Sequence, residues 1–137
     1  MPPHKPSAIV LDSWSVIAYL EDESSAERVE EILTNAHEHK TPLLTTVVNA
    51  GEIWYILARK TSIAEADQSL VELRRMGIEF IEADWKLARA AAGFKARYKM
   101  SYADCFAAAL AQERKAEVVT GDPEFKQVAH DVKIHWV

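Results

Sequence analysis

Four carboxylates in this 137-residue chain stand where side chains can act on a ligand. Asp12 closes the apolar run Ile9-Val10-Leu11, and Asp122 follows Val118-Val119-Thr120 after a single glycine. Glu52 shares a helical face with Val48 and Ile56, a costly place for a carboxylate without a partner. Asp104 lies on a stripe of small residues with Ala107, Ala108 and Ala111, which would let its helix lie close against a sheet. Three or four carboxylates without histidine or thiolate partners suit a hard cation such as Mg²⁺ or Mn²⁺. Such an ion neutralises phosphate oxygens, so the chemistry indicated is hydrolysis of a phosphodiester. Repulsion among apposed acids would also make the cation a stabiliser of the fold.

Each acid has a structural reading as well. Asp12 suits the N-cap of the helix that follows it. Asp122-Pro123-Glu124 is a strong cap sequence, with proline at the first helical position. Ser101 with Asp104 resembles a capping box, and Glu52 can simply be exposed. Capping and cation binding are compatible, because a capping carboxylate keeps an oxygen free. The coincidence of four acids carries the functional reading.

The elements that must position these acids follow from the apolar pattern. Continuous apolar runs, without alternation, suit strands buried on both faces of a parallel sheet. Strands are expected over 9–11, 43–46, 78–81 and 117–120, with a short one over 133–136. Helices are expected over 15–20, 26–39 and 47–60, and from Thr61 or Ser62 to just before Gly77. Asp84 should cap another through Phe94, Ser101 should open one as far as Arg114, and a short one should follow Pro123. This alternation indicates an α/β layered fold with a mainly parallel sheet. Ligands in such sheets bind beyond the carboxyl ends of the strands, so Asp12 and Asp122 should share one edge.

Composition sets the outer limits. The length fits one domain over residues 1–137, and 49% apolar residues are ample for a core. A net charge of −5 argues against a broad basic coat for nucleic acid, but not against acids that hold cations. The single cysteine, Cys105, excludes an internal disulfide and fits a reducing compartment. No apolar stretch approaches the roughly 20 residues that span a bilayer, and Met1–Pro6 leads into no signal-peptide pattern, so a cytoplasmic protein without membrane partners is expected. The four glycines form no phosphate-binding G-x-G-x-x-G. Trp14 stands two after Asp12, where haloacid-dehalogenase-like phosphatases require a second aspartate. Arg89, Lys95, Arg97 and Lys99 form a basic run; Arg97 and Lys99 are candidates to guide an RNA backbone, against the plainer reading of a solvated helix face. His37 and His39 point to different helix faces, while His130 and His135 lack neighbouring ligands. Cys105 reads as a small core residue, and Trp54 and Tyr55 as core or interface packing.

Four segments taken in order resemble one family. They are Ile9-Val10-Leu11-Asp12-Ser13, Asn49-Ala50-Gly51-Glu52-Ile53, Tyr102-Ala103-Asp104-Cys105-Phe106-Ala107-Ala108-Ala109, and Val118-Val119-Thr120-Gly121-Asp122-Pro123-Glu124-Phe125. Their order and spacing, over nearly the whole chain, resemble the PIN-domain ribonucleases, especially the VapC-type toxins of toxin–antitoxin pairs. The resemblance implies a PIN-like three-layer α/β/α fold on a mainly parallel five-stranded sheet. It makes Asp12, Glu52, Asp104 and Asp122 the catalytic, metal-binding acids for Mg²⁺ or Mn²⁺, with Ser13 and Thr120 as supporting hydroxyls. It also implies an endoribonuclease acting on single-stranded or loop RNA, a cognate antitoxin that holds it inactive, and a homodimer. Trp14 departs from the family, where many members carry a small polar residue after the Asp-Ser pair. The alternative is a catalytically inactive PIN-like interaction module.

Overall fold

A computed structural model describes residues 6–137. Residues 1–5, on which the signal-peptide expectation partly rests, lie outside that range.

Three central strands carry the core. β1 (Ile9–Leu11) and β2 (Leu43–Thr46) are buried throughout, as are the last three residues of β4 (Glu117–Thr120). The flanking strands β3 (Ile78–Ile81) and β5 (Lys133–Trp136) are more exposed, as edge strands must be. All pair in parallel in the order β3-β2-β1-β4-β5. Six helices connect them: α1 (Ser13–Leu20), α2 (Ala26–Glu38), α3 (Val47–Lys60), α4 (Ile63–Arg75), α5 (Trp85–Arg97) and α6 (Tyr102–Arg114). A 3₁₀ helix covers Pro123–Val128.

The period-two geometry of the strands divides the core in two. Val10, Leu44 and Val118 point to one side, where they meet Leu87, Ala91 and Phe94 of α5, the alanines of α6, and Phe125 and Val128. Ile9, Leu11, Leu43, Val119 and Ile78 point to the other and meet Val16, Ile32, Ile53, Leu57 and Leu73 of α1–α4. The result is the three-layer α/β/α arrangement expected, with a sheet that is wholly parallel.

Helix starts follow the cap residues closely. Side chains of Asp12, Thr46, Ser62, Asp84 and Ser101 each accept an N–H from the first turn of the helix they precede. α1 begins at Ser13, two residues before its expected start, because Asp12 itself is the cap. α4 ends at a turn where Gly77 has φ +89°, a left-handed conformation that glycine adopts without strain. Among the described residues, no helix is long and apolar enough to cross a membrane.

The chain places β2 and then β3 on one side of β1 and then crosses over β1 to reach β4. β1 and β4 therefore meet where the direction of winding reverses, and their carboxyl ends open into a crevice. Asp12 and the Thr120–Asp122 turn lie at that point.

Candidate metal centre

Asp12 is fully buried, and both of its carboxylate oxygens are engaged. Oδ1 accepts the Ser15 N–H at 2.8 Å as the N-cap of α1. Oδ2 accepts the Thr120 hydroxyl from the end of β4. Thr120 Oγ1 in turn accepts the Asp122 N–H at 3.0 Å, so one hydroxyl joins the first acid to the turn that carries the last. Burial is the main influence on Asp12 and pushes its carboxyl up to about 7. The hydrogen bonds from Thr120 and Ser15 oppose that rise, and the nearby Asp104 charge adds to it.

Above Asp12 lies an open cleft of about 390 Å³, lined by residues that include Ser13, Trp14, Glu23, Glu52, Asp104, Asp122 and Glu124. Asp104, Asp122 and Glu124 offer carboxylate oxygens that all lie within 4.8 Å of one another. Glu52, from the second turn of α3, faces the same space. Asp104 is pushed up to about 6, first by burial and then by the charges of Asp122, Glu52 and Glu124. The Ser101 hydroxyl works against this. Among the described residues, no lysine or arginine lines the cleft. Hard oxygen donors at this spacing, with no protein cation among them, fit a divalent ion such as Mg²⁺ or Mn²⁺.

The four acids singled out in the sequence thus converge, at two depths. Glu52, Asp104 and Asp122 line the cleft, while Asp12 lies beneath it behind Thr120. The cap readings hold alongside: Asp122 accepts the Glu124 N–H at 2.9 Å, and Ser101 accepts the Asp104 N–H at 3.1 Å.

Two participants were not singled out from sequence. Glu124 read as part of a cap, yet the tight 3₁₀ turn brings it beside Asp104 and Asp122. Asn49 is fully buried in the first turn of α3. Its amide donates to Ser13 Oγ and to the Ala103 carbonyl, both at 3.1 Å, and its Oδ1 accepts the Thr46 hydroxyl at 2.6 Å. Asn49 therefore ties together the starts of α1, α3 and α6, each of which bears or follows one of the acids. An amide inside an otherwise apolar helix start was the available signal. Ser13 accordingly meets Asn49 and not a carboxylate, whereas Thr120 meets Asp12 directly.

Trp14 forms one wall of the cleft. Its benzo ring presses on Gly121, and a Cβ built there would lie 2.7 Å or less from three ring carbons. The glycine is required by this close approach and not by its backbone angles. Gly121→Ala is expected to lower stability by roughly 1–3 kcal/mol, the usual cost of overpacking. In a Trp14→Ala background the same substitution should cost almost nothing. A double-mutant cycle by urea denaturation checks this, and additive effects would refute the steric link.

The basic run lies elsewhere. Arg97 folds over the rings of Phe94 and Tyr98, at 5.2 and 5.3 Å, and donates to the Gly93 carbonyl. Neither Arg97 nor Lys99 lines the cleft. Cys105 is fully buried in the core, and Trp54 is partly buried with its Nε1–H donated to Asp67 at 2.8 Å.

This architecture has close counterparts among solved structures. The sarcin–ricin-loop-cleaving toxin VapC20 of Mycobacterium tuberculosis superposes with a TM-score of 0.71 at 16% identity, over 93% of this chain and 99% of that one. The DNA-bound VapBC of Salmonella typhimurium gives 0.72 at 16%, over 93% and 96%. A toxin–antitoxin complex from Klebsiella pneumoniae gives 0.66 at 15%, over 95% and 100%. At these identities the likeness concerns the fold. No curated protein matches in sequence. The PIN domain family model matches residues 9–131, from the first residue of β1 to beyond the turn that bears Asp122 and Glu124, and on that match this chain belongs to the PIN-domain family.

Proposed function

We propose that the protein is a metal-dependent endoribonuclease, and that it serves as the toxin of a toxin–antitoxin pair. One observation carries the nuclease reading: three carboxylates from two separate segments crowd within 4.8 Å in a cleft with no basic lining residue among the described residues. Like charges at such spacing are maintained only at a cost unless a cation joins them. Asp104, Asp122 and Glu124 would hold the ion, with Glu52 across the cleft and Asp12 beneath. When bound, Mg²⁺ or Mn²⁺ would activate water and neutralise the phosphodiester under attack.

The chain's own groups do the rest. Thr120 holds Asp12 and the Asp122 backbone in one hydrogen-bonded line, and Asn49 fixes the first turn of α6, from which Asp104 projects. Trp14 restricts the approach of an RNA strand from the Gly121 side.

The toxin reading is supported by fold neighbours that include a toxin that cleaves the sarcin–ricin loop and toxin–antitoxin complexes. A cognate antitoxin, a cytoplasmic location, a homodimer and a single domain belong to the same proposal. The test is incubation of purified protein with a mixed pool of structured and single-stranded RNA, with Mn²⁺ or Mg²⁺ and with EDTA. Cleavage that depends on metal is expected. Cleavage that persists in EDTA would overturn the carboxylate mechanism, and absence of both cleavage and metal binding would favour the interaction module.

A further inference from the structure

The acid cluster joins two segments that no strand pairing connects. Asp104 belongs to the first turn of α6, entered through the loop at residues 98–101. Asp122 and Glu124 belong to the 3₁₀ helix after β4. One side chain bridges the two. Gln127 Oε1 accepts the Lys99 N–H at 3.1 Å, and Gln127 Nε2 donates to the Lys99 carbonyl at 3.1 Å. The same Nε2 donates to the Glu124 carbonyl, also at 3.1 Å. A single amide therefore grips both backbone groups of one residue in the loop and the backbone of an acid in the cluster.

The loop leads directly to the site. Lys99 is two residues before Ser101, whose hydroxyl receives the Asp104 N–H. The loop is also held by the Tyr98 hydroxyl to Asp131 at 3.3 Å, by Lys95 Nζ to the Met100 carbonyl at 2.7 Å, by the Tyr98 N–H to the Phe94 carbonyl at 2.9 Å, by the Cys105 N–H to the Ser101 carbonyl at 3.0 Å, and by Met100, which is buried in the core. None of these reaches Asp122 or Glu124. The body of α6 is fixed independently, since Cys105, Ala107, Ala108, Ala109 and Leu110 are wholly buried. Loss of Gln127 would thus release the helix entrance from the Pro123–Val128 turn and leave the helix itself in place.

We propose that Gln127 is a positioning residue for the cation site: its amide clasps the Lys99–Ser101 loop to the Pro123–Val128 turn and so sets the separation of Asp104 from Asp122 and Glu124. Glutamine suits the task because it brings a donor and an acceptor without charge. A glutamate would lose the two donated bonds and add a fourth negative charge beside the cluster. A methionine would keep the length and none of the three bonds. The proposal rests on the cation reading of the site, and its test separates the two.

Mn²⁺ alone is titrated into wild type, Gln127→Met, Gln127→Asn, Asp104→Asn and Ser62→Ala, with free Mn²⁺ followed by electron paramagnetic resonance and each protein's melting temperature recorded. Ser62→Ala removes a helix cap of α4, on the opposite face of the sheet from α6, and controls for general loss of stability. Both Gln127 variants should bind Mn²⁺ about 10- to 100-fold more weakly than wild type, as for other residues that orient metal ligands. Ser62→Ala should melt earlier with unchanged affinity, and Asp104→Asn should lose binding. Either folded Gln127 variant binding as tightly as wild type, or Ser62→Ala weakening binding equally, would overturn the clasp alone. A wild type that binds no Mn²⁺ would overturn the site reading, and the clasp with it.

Discussion

Asp104→Asn should abolish metal-dependent RNA cleavage, by at least ~100-fold, and at the same time make the metal-free protein more stable. The two effects have one cause. Residues that merely orient a metal ligand are worth ~10–100-fold in metal affinity or activity, so removing a ligand should exceed that range. The stabilisation follows from the carboxyl being pushed up to about 6 by burial and by three acidic neighbours, a disadvantage that an amide does not share. The cap of α6 survives, because Ser101 and not Asp104 makes it. A structural acid would behave in the opposite way and lose stability on substitution. Cleavage assays paired with thermal melts in EDTA near neutral pH decide between the two. A variant that remains active, or one that melts earlier than wild type without metal, would remove Asp104 from the centre.

That combination of gain and loss explains why some of this site was legible in the sequence. A carboxylate at the end of an uninterrupted apolar run has to be either a cap or a partner to something positive, and Asp12 and Asp122 both stood at such ends. The strand assignments held for the same reason. Ile9-Val10-Leu11 and Val118-Val119 lack alternation because helices cover both faces, and this one fact also gives the parallel sheet. What could not be read were relations fixed only by tertiary contact. Glu124 joins the cluster because the turn after β4 is 3₁₀. Asn49 serves residues that lie 36 and 54 positions away. Trp14 was visible as a departure from its family, but its seat on Gly121 depends on β1 and β4 being neighbours. Depth was the other hidden quantity. The resemblance makes all four acids metal-binding, whereas Asp12 lies below the cleft with both oxygens occupied by the protein.

The depth of Asp12 leads to the second large effect, on stability as a function of pH. Its carboxyl has an ordinary value of 3.8 and sits at about 7 in the folded chain. Between those values the unfolded chain has released this proton and the folded chain retains it, so the folded state binds more protons. Stability must then fall as pH rises through this window. The contribution is whole below pH 3.8 and is lost by about pH 7, with a magnitude on the order of 4 kcal/mol at ~1.4 kcal/mol per pKa unit. Asp104 adds to the same slope over a narrower range. Most paired acids in proteins act in the reverse sense. Urea denaturation in EDTA should therefore give a lower midpoint near pH 7.5 than near pH 5, and Asp12→Asn should flatten much of that difference. A divalent ion should restore stability chiefly at the higher pH, because its ligands must first give up their protons. A metal-free protein whose stability rises from pH 5 to pH 7.5 would mean that the hydrogen bonds from Thr120 and Ser15 outweigh burial and keep Asp12 ionised in the fold.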